Sequence, residues 1–332
     1  MVINPATIAL TSCSLTISLV AIHASLVGIQ IIGGWDIKSG HEKQLQLERK
    51  TYLISTILNY ALACELLSLF LFVSTADRMH PLFIGAMCAT GSLNANIFGF
   101  AVLILKSVNC LLCGIWIALN YLDNQGYDYP LVRLKYGYLI AITCLLVTET
   151  VMLINYLARL APQIITSCCG TVFNEDADTV AGDLAHLPPF KMMALFYMGI
   201  AAVLASGGYF LQTRKRARLF SFVCMVFFLI TLASIVSFIS LYYYELPTHH
   251  CPFCLLQKEY NHIGYPLYLT LFSGAIMGGS LGMIDFFKGF NSLGHVIPTL
   301  QKQFCLIAVI SYVVLAIIAT APIVFSDFKL GG

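Results

Sequence analysis

The chain has 332 residues, 59% of them hydrophobic and only 10% charged. Soluble domains carry about 25% charged residues, so a soluble globular fold is excluded and a multi-pass membrane protein is implied. A formal net charge of +2, with no basic run paired to a binding motif, gives no reason to expect a nucleic-acid partner.

In lipid the backbone finds no water to bond, so the expected fold class is an all-α bundle in contact with the bilayer. Apolar stretches of roughly 20 residues, the length a bilayer demands, lie near 7–33, 52–75, 97–122, 134–161, 192–211, 219–243, 263–286 and 303–326. Eight transmembrane helices are therefore expected. No basic residue precedes Lys38, so the first segment reads as a spanning helix without a signal-peptide start.

Basic residues set the orientation. The loops 34–51, 123–133, 212–218 and 287–302, with Lys135 at the foot of the fourth span, hold Lys38, Lys43, Arg49, Lys50, Arg133, Lys135, Arg214, Lys215, Arg216, Arg218, Lys288 and Lys302. Taking this side as cytoplasmic puts both termini outside. The expected location is a bacterial inner membrane, with the opposite loops in the periplasm. There thiols meet an oxidising compartment.

Five cysteines then fall on the outer face: Cys88, Cys168, Cys169, Cys251 and Cys254. His80, His186, His249, His250 and His262 join them. The other seven cysteines fall inside spans and read as small apolar core residues.

The two halves of the chain share a pattern. Cys88 is followed by Asn96-Ile97-Phe98-Gly99-Phe100, and Cys254 by Asn261-His262-Ile263-Gly264-Tyr265. Each then enters an apolar span. This reads as a parallel duplication, with four-helix halves at 1–161 and 192–332 and an outer loop at 162–191 between them.

Two acids and a base fall within spans: Glu65, Lys106 and Glu149. Ionisable groups at that depth are costly unless they pair or line a wet path. A structural ion pair and a proton or substrate path are both open. Asn109, Cys110 and Cys113 lie deeper on the same span as Lys106, where packed thiols or a second redox pair are the alternatives. Gly33-Gly34 and Gly278-Gly279 read as close helix packing or turns.

The richest stretch is Leu246-Pro-Thr-His-His-Cys-Pro-Phe-Cys-Leu-Leu-Gln-Lys258. A C-x-x-C can close a disulfide or present two thiolates to one metal. Pro252 suits the first turn of a helix, which would put Cys251 at a helix N-terminus. Helix N-termini and nearby cations lower a thiol pKa, and His249, His250 and Lys258 are in position to supply that charge. Adjacent Cys168 and Cys169 disfavour a bond to each other. One could pair with Cys88 while the other attacks Cys251 or Cys254, or a fixed inter-loop disulfide could leave one spare thiol.

The run Cys251-Pro252-Phe253-Cys254-Leu255-Leu256-Gln257-Lys258, with Tyr265-Pro266 beyond it, resembles the first redox loop of the DsbB/BdbC family of disulfide-forming membrane proteins. That family shows C-x-x-C-x-x-[EQ]-R at the outer start of a helix, often with Tyr-Pro nearby. The resemblance covers about sixteen residues and replaces the family's arginine by Lys258. It implies a thiol–disulfide oxidoreductase in which Cys251 and Cys254 pass electrons to a quinone bordered by Gln257, Lys258 and Tyr265. It also implies a second outer pair, drawn here from Cys88, Cys168 and Cys169, that exchanges with a periplasmic thioredoxin-like partner.

Two other classes remain. The outer cysteines with His80, His249 and His250 form a ligand list suited to Cu(I) or Zn(II). Alternatively, the chain is a transporter or respiratory-complex subunit with structural disulfides, and Lys106, Glu65 and Glu149 carry its function.

Overall fold

The computed structural model describes residues 4–36, 41–161, 166, 182–183, 187–326 and 328. These residues form helices and connecting turns, and eight helical segments are long and apolar enough to cross a membrane. The helices are α1 (Pro5–Gly34), α2 (Glu42–Met79), α3 (Ala89–Leu93), α4 (Phe98–Asp123), α5 (Val132–Ala158), α6 (Pro189–Thr213), α7 (Ala217–Ser234), α8 (Ser240–Tyr244), α9 (Gly264–Asp285) and α10 (Val296–Phe325). α7 and α8 form one span, joined by a π-helical turn at Ile235–Ile239.

The largest departure from the expected spans is α2. The polar stretch Glu42–Lys50 reads as loop but is helical, supported by Gln44 donating to Glu48 at 2.9 Å and Gln46 to Glu42 at 3.2 Å. At 1.5 Å per residue its 38 residues reach about 57 Å, well beyond an apolar layer of about 30 Å.

The chain divides into two compact units. Unit 1 comprises 1–72, 97–160 and 283–300; unit 2 comprises 73–96, 161–282 and 301–332. The units follow the two halves of the sequence except that 73–96 belongs with the second and 283–300 with the first.

Unit 1 is built around α1, the first part of α2, α4 and α5. Its core holds Ile17, Ala21, Ala24, Leu58, Trp116, Tyr136 and Leu139. Small hydroxyl residues let α1 and α5 approach: Ser18 meets Thr150 at 2.7 Å and Ser25 meets Thr143 at 2.8 Å. Such residues are the expected contact points between helices in lipid. The turn between α4 and α5 is closed by a buried polar clasp. Asp123 Oδ1 accepts from the Leu131 N–H at 2.8 Å, while Oδ2 pairs with Lys135 Nζ at 2.6 Å. Lys135 is thus buried in the unit.

Unit 2 is built around α6, α7–α8, α9 and most of α10. On α9, Gly274, Gly278 and Gly282 recur every four residues and so share one face. A side chain at Gly278 would meet Cys224 of α7 at 2.5 Å, and one at Gly282 would meet Ser221 at 2.4 Å. Gly274 lies against the Tyr312 ring of α10. Gly278 thus belongs to this close-packed stripe, whereas Gly33 faces open space and Gly34 ends α1.

The expectation that the seven remaining cysteines are all core residues needs correction. Cys110, Cys113, Cys224 and Cys305 are buried, but Cys64 and Cys144 are exposed on the helix surface and Cys13 is half-buried.

Candidate functional site: a three-cysteine cluster

Within unit 2 three sulfurs converge. The Sγ atoms of Cys88, Cys251 and Cys254 all lie within 4.8 Å of one another, and all three residues are buried. The Cys88 and Cys251 sulfurs are 3.5 Å apart. That exceeds a covalent S–S bond of about 2.05 Å and is in the range of sulfur atoms in contact.

Each side of the cluster is positioned by local structure. Cys88 is the extended residue that caps α3, a five-residue helix whose residues are all buried. From α3 the Thr90 hydroxyl reaches Cys251 Sγ at 3.1 Å. Before Cys88 the chain turns at Gly85, whose φ of +87° suits glycine. A Cβ there would also strike the Thr166 carbonyl at 2.8 Å. The Thr166 N–H donates to the Ile84 carbonyl at 3.0 Å.

On the other side, α8 ends at Glu245 in a left-handed conformation, and the chain enters the cysteine loop. Two tyrosines hold the loop by its carbonyls. Tyr244 OH donates to the Cys251 carbonyl at 2.5 Å, and Tyr268 OH donates to that of Pro252 at 2.9 Å. The loop is tied across to the Cys88 segment by Gln257. Its Nε2 donates to the Met87 carbonyl at 2.9 Å and to Asp77 Oδ1 at 3.3 Å.

Pro252 does not open a helix. Cys254–Leu256 is a single 3-10 turn, and α9 begins at Gly264. The helix N-terminus expected at Cys251 is therefore absent, because the loop backbone is committed to the tyrosine contacts and to tight turns at Asn261 and His262, both with positive φ.

The histidines separate. His249 Nε2 lies 3.4 Å from Cys254 Sγ. Burial holds its imidazole below the usual histidine range; His250 adds to this and Cys88 opposes it. His249 is therefore a neutral ring beside a thiol near pH 7, not the cation the sequence reading expected. His250 instead donates from Nδ1 to the Val236 carbonyl at 3.0 Å, in the π-helical turn. His80 Nδ1 donates to the Asp77 carbonyl at 2.5 Å. Of the three histidines proposed as ligands, His249 is the one in contact with a cluster sulfur.

A cleft of about 470 Å³ is lined by Met87 and Leu256, each within two residues of a cluster cysteine. Gln257, Lys258 and Tyr265 line it, together with Arg78, His80 and Met87. The three residues expected to border an electron acceptor thus share one cavity. Cys168 and Cys169 lie outside the described residues.

The intramembrane acids and base also meet, within unit 1. Lys106 Nζ donates to Glu149 Oε1 at 2.6 Å and pairs with Glu65 Oε1 at 3.4 Å.

The residues that sequence reasoning missed are Thr90, Tyr244 and Tyr268. Thr90, two residues after Cys88, offered a weak signal. The tyrosines offered none, since their partners are backbone carbonyls.

The fold and the site define an all-helical, multi-pass membrane protein carrying a buried cysteine cluster. No protein-family model, curated protein or solved structure matches the chain.

Proposed function

We propose that the protein is a membrane thiol–disulfide oxidoreductase whose reaction runs through Cys88, Cys251 and Cys254. The observation that carries this reading is the 3.5 Å separation of the Cys88 and Cys251 sulfurs, with Cys254 in the same cluster. With Cys251 and Cys254 joined as a disulfide, the Cys88 thiolate attacks Cys251 Sγ. The Cys88–Cys251 bond forms, the Cys251–Cys254 bond breaks, and the electron pair leaves on Cys254. His249 Nε2, 3.4 Å away, is placed to hand a proton to or take one from that sulfur. Exchange of this kind needs an attacking thiolate and an accessible leaving sulfur.

Because Cys88 and Cys251 are buried, this step is an internal relay. The net oxidation of two thiols releases two electrons and two protons, and a quinone-type acceptor would take both. A quinone headgroup has carbonyl acceptors, and the cleft offers donors at Arg78, Lys258 and His80 beside the Tyr265 ring. In this reading the site faces the periplasm of a bacterial inner membrane, and a thioredoxin-like protein supplies or receives the thiols. Cys168 or Cys169 is the thiol that would meet it.

A second reading has its own observation. Four ligand atoms on a tetrahedral Zn(II), with Zn–S near 2.3 Å and Zn–N near 2.0 Å, lie about 3.5–3.8 Å apart. The Cys88–Cys251 and Cys254–His249 separations are 3.5 and 3.4 Å. The three sulfurs, within 4.8 Å of one another, also suit Cu(I), while His249 touches Cys254 but lies outside that three-atom group.

One experiment decides between them. Thiol states are mapped in intact membranes by alkylation and mass spectrometry, before and after mild reductant, a quinone and a soft-metal chelator. Disulfides that interchange among the three cysteines and reclose on quinone addition support the oxidoreductase. Thiols shielded until chelator is added replace it with a metal site. A single disulfide that resists reductant rules out both.

A further inference from the structure

Unit 1 holds a second polar cluster that the thiol chemistry does not use. Lys106, Glu65 and Glu149 are at most 1% exposed. Lys106 Nζ reaches Glu149 Oε1 at 2.6 Å, Ser68 Oγ at 2.8 Å and Glu65 Oε1 at 3.4 Å, which uses all three ammonium hydrogens. Asn109 Nδ2 donates to the other Glu149 oxygen at 2.6 Å. The carboxyl groups of Glu65 and Glu149 thus converge on one ammonium.

The charges do not balance. Two ionised carboxylates against one ammonium leave the cluster with one excess negative charge inside membrane-spanning helices. Among the described residues no second cation is paired with the cluster. The other titratable groups facing it are thiols: Cys13 of α1 with Cys64 of α2 beside it, and Cys110 and Cys113 of α4. α5 contributes Glu149 itself. Two carboxyls gathered on one ammonium at low dielectric cannot both stay ionised without cost, so one proton is required to balance the charge.

A separate observation points the same way. Asn109 is fully buried with its amide on Glu149, and its Oδ1 has no donor among the described residues. That orphan acceptor belongs to the side chain that holds Glu149 at 2.6 Å, so the cluster is short of a hydrogen.

We infer that Glu65 and Glu149 form a proton-binding site, in which one exchangeable proton is shared by the two carboxyls while Lys106 remains an ammonium. The loaded cluster is neutral, and the unloaded form is held by Lys106, Ser68 and Asn109. This gives unit 1 a resting place for a proton within the bilayer, independent of the cysteine site.

Infrared spectroscopy of the purified full-length protein in lipid tests this directly. At neutral pH the wild type should show the carbonyl stretch of a protonated carboxylic acid, shifted in heavy water. Glu65→Gln and Glu149→Gln should each lose that band, since the remaining carboxylate is then balanced by Lys106. In Lys106→Met the band should roughly double, because both carboxyls then need a proton. No such band in the wild type, or one unchanged in both glutamine variants, overturns the proposal. If a glutamine variant fails to fold, carbodiimide labelling of the wild type replaces it, because the reagent adds to protonated carboxyls. An adduct on Glu65 or Glu149 at neutral pH that fades at alkaline pH supports the site. Labelling of other acids without these two overturns it.

Discussion

Cys88 and Cys251 stand 163 positions apart in the chain, yet their sulfurs are 3.5 Å apart. The approach depends on a buried short helix on one side and a carbonyl-clamped loop on the other. If the pair exchanges disulfides, removing the leaving sulfur should trap it. Cys254→Ser is expected to accumulate a Cys88–Cys251 disulfide, seen by non-reducing peptide mapping. Cys88→Ser should accumulate Cys251–Cys254 instead. Finding only Cys251–Cys254 in the wild type and no cross-link in Cys254→Ser would remove Cys88 from the chemistry.

Gln257 is one tie between the two cysteine segments, through Met87 and Asp77. Gln257→Ala removes both hydrogen bonds, each worth about 1 kcal/mol. The yield of Cys88–Cys251 cross-link in a Cys254→Ser background should drop several-fold, while the global melting temperature moves little. Gln257→Glu keeps the length but loses the donor, so it should behave like the alanine variant and not like wild type.

The His249 environment gives a pH dependence with a defined sign. Its folded pKa lies below its ordinary value, chiefly through burial. The unfolded chain therefore binds more protons between the folded pKa and about 6.5. The contribution to stability is fully present above about pH 6.5 and declines as pH falls from there to the folded pKa. Melting in detergent at pH 7.5 and 5.5 should show a larger loss for wild type than for His249→Gln. Equal losses would mean that His249 is not a titrating contributor.

How much of this was readable beforehand differs by residue. The eight spans were legible because apolar length is a property of consecutive residues. The start of α2 was not, since Glu42–Lys50 is polar and its helix rests on side-chain pairs such as Gln44–Glu48. The cysteine loop was legible by composition, and Gln257, Lys258 and Tyr265 do share a cleft. The split between His249 and His250 was not, because adjacent side chains diverge and the Val236 carbonyl that takes His250 lies 14 residues back in a π-helical turn. The N-x-x-G motif does precede a long helix in both halves, at Phe98 and at Gly264. The backbones differ, however: Asn261 has positive φ and Asn96 does not. A short motif specifies residue types, while the conformation around it depends on what the neighbouring loop must reach.

The glycine stripe of α9 makes a packing prediction. Gly278 sits where a Cβ would fall 2.5 Å from Cys224 Cβ, closer than two carbons can approach. Gly278→Ala must push α7 and α9 apart, a cost of about 1–3 kcal/mol typical of overpacking. Gly137→Ala, on α5 where an added Cβ meets nothing within 4 Å, should cost less. Chemical denaturation of the two variants in mixed micelles would show the difference. Similar losses for both would mean that the close approach of α7 and α9 is not limiting.

The Asp123–Lys135 pair closes the turn between α4 and α5, with both side chains fully buried and 2.6 Å apart. Lys135→Met leaves the Asp123 carboxylate without its counter-charge but still holding the Leu131 N–H. Breaking a buried pair from one side typically costs about 3–5 kcal/mol. Asp123→Asn with Lys135→Met keeps an acceptor for Leu131 and removes both charges, so it should recover most of that loss. The double variant separates charge from shape. Recovery of stability shows that the single variant fails through an uncompensated carboxylate. A double variant as unstable as the single one would instead assign the loss to the other bond that Lys135 makes, from Nζ to Asn120 Oδ1 at 3.1 Å.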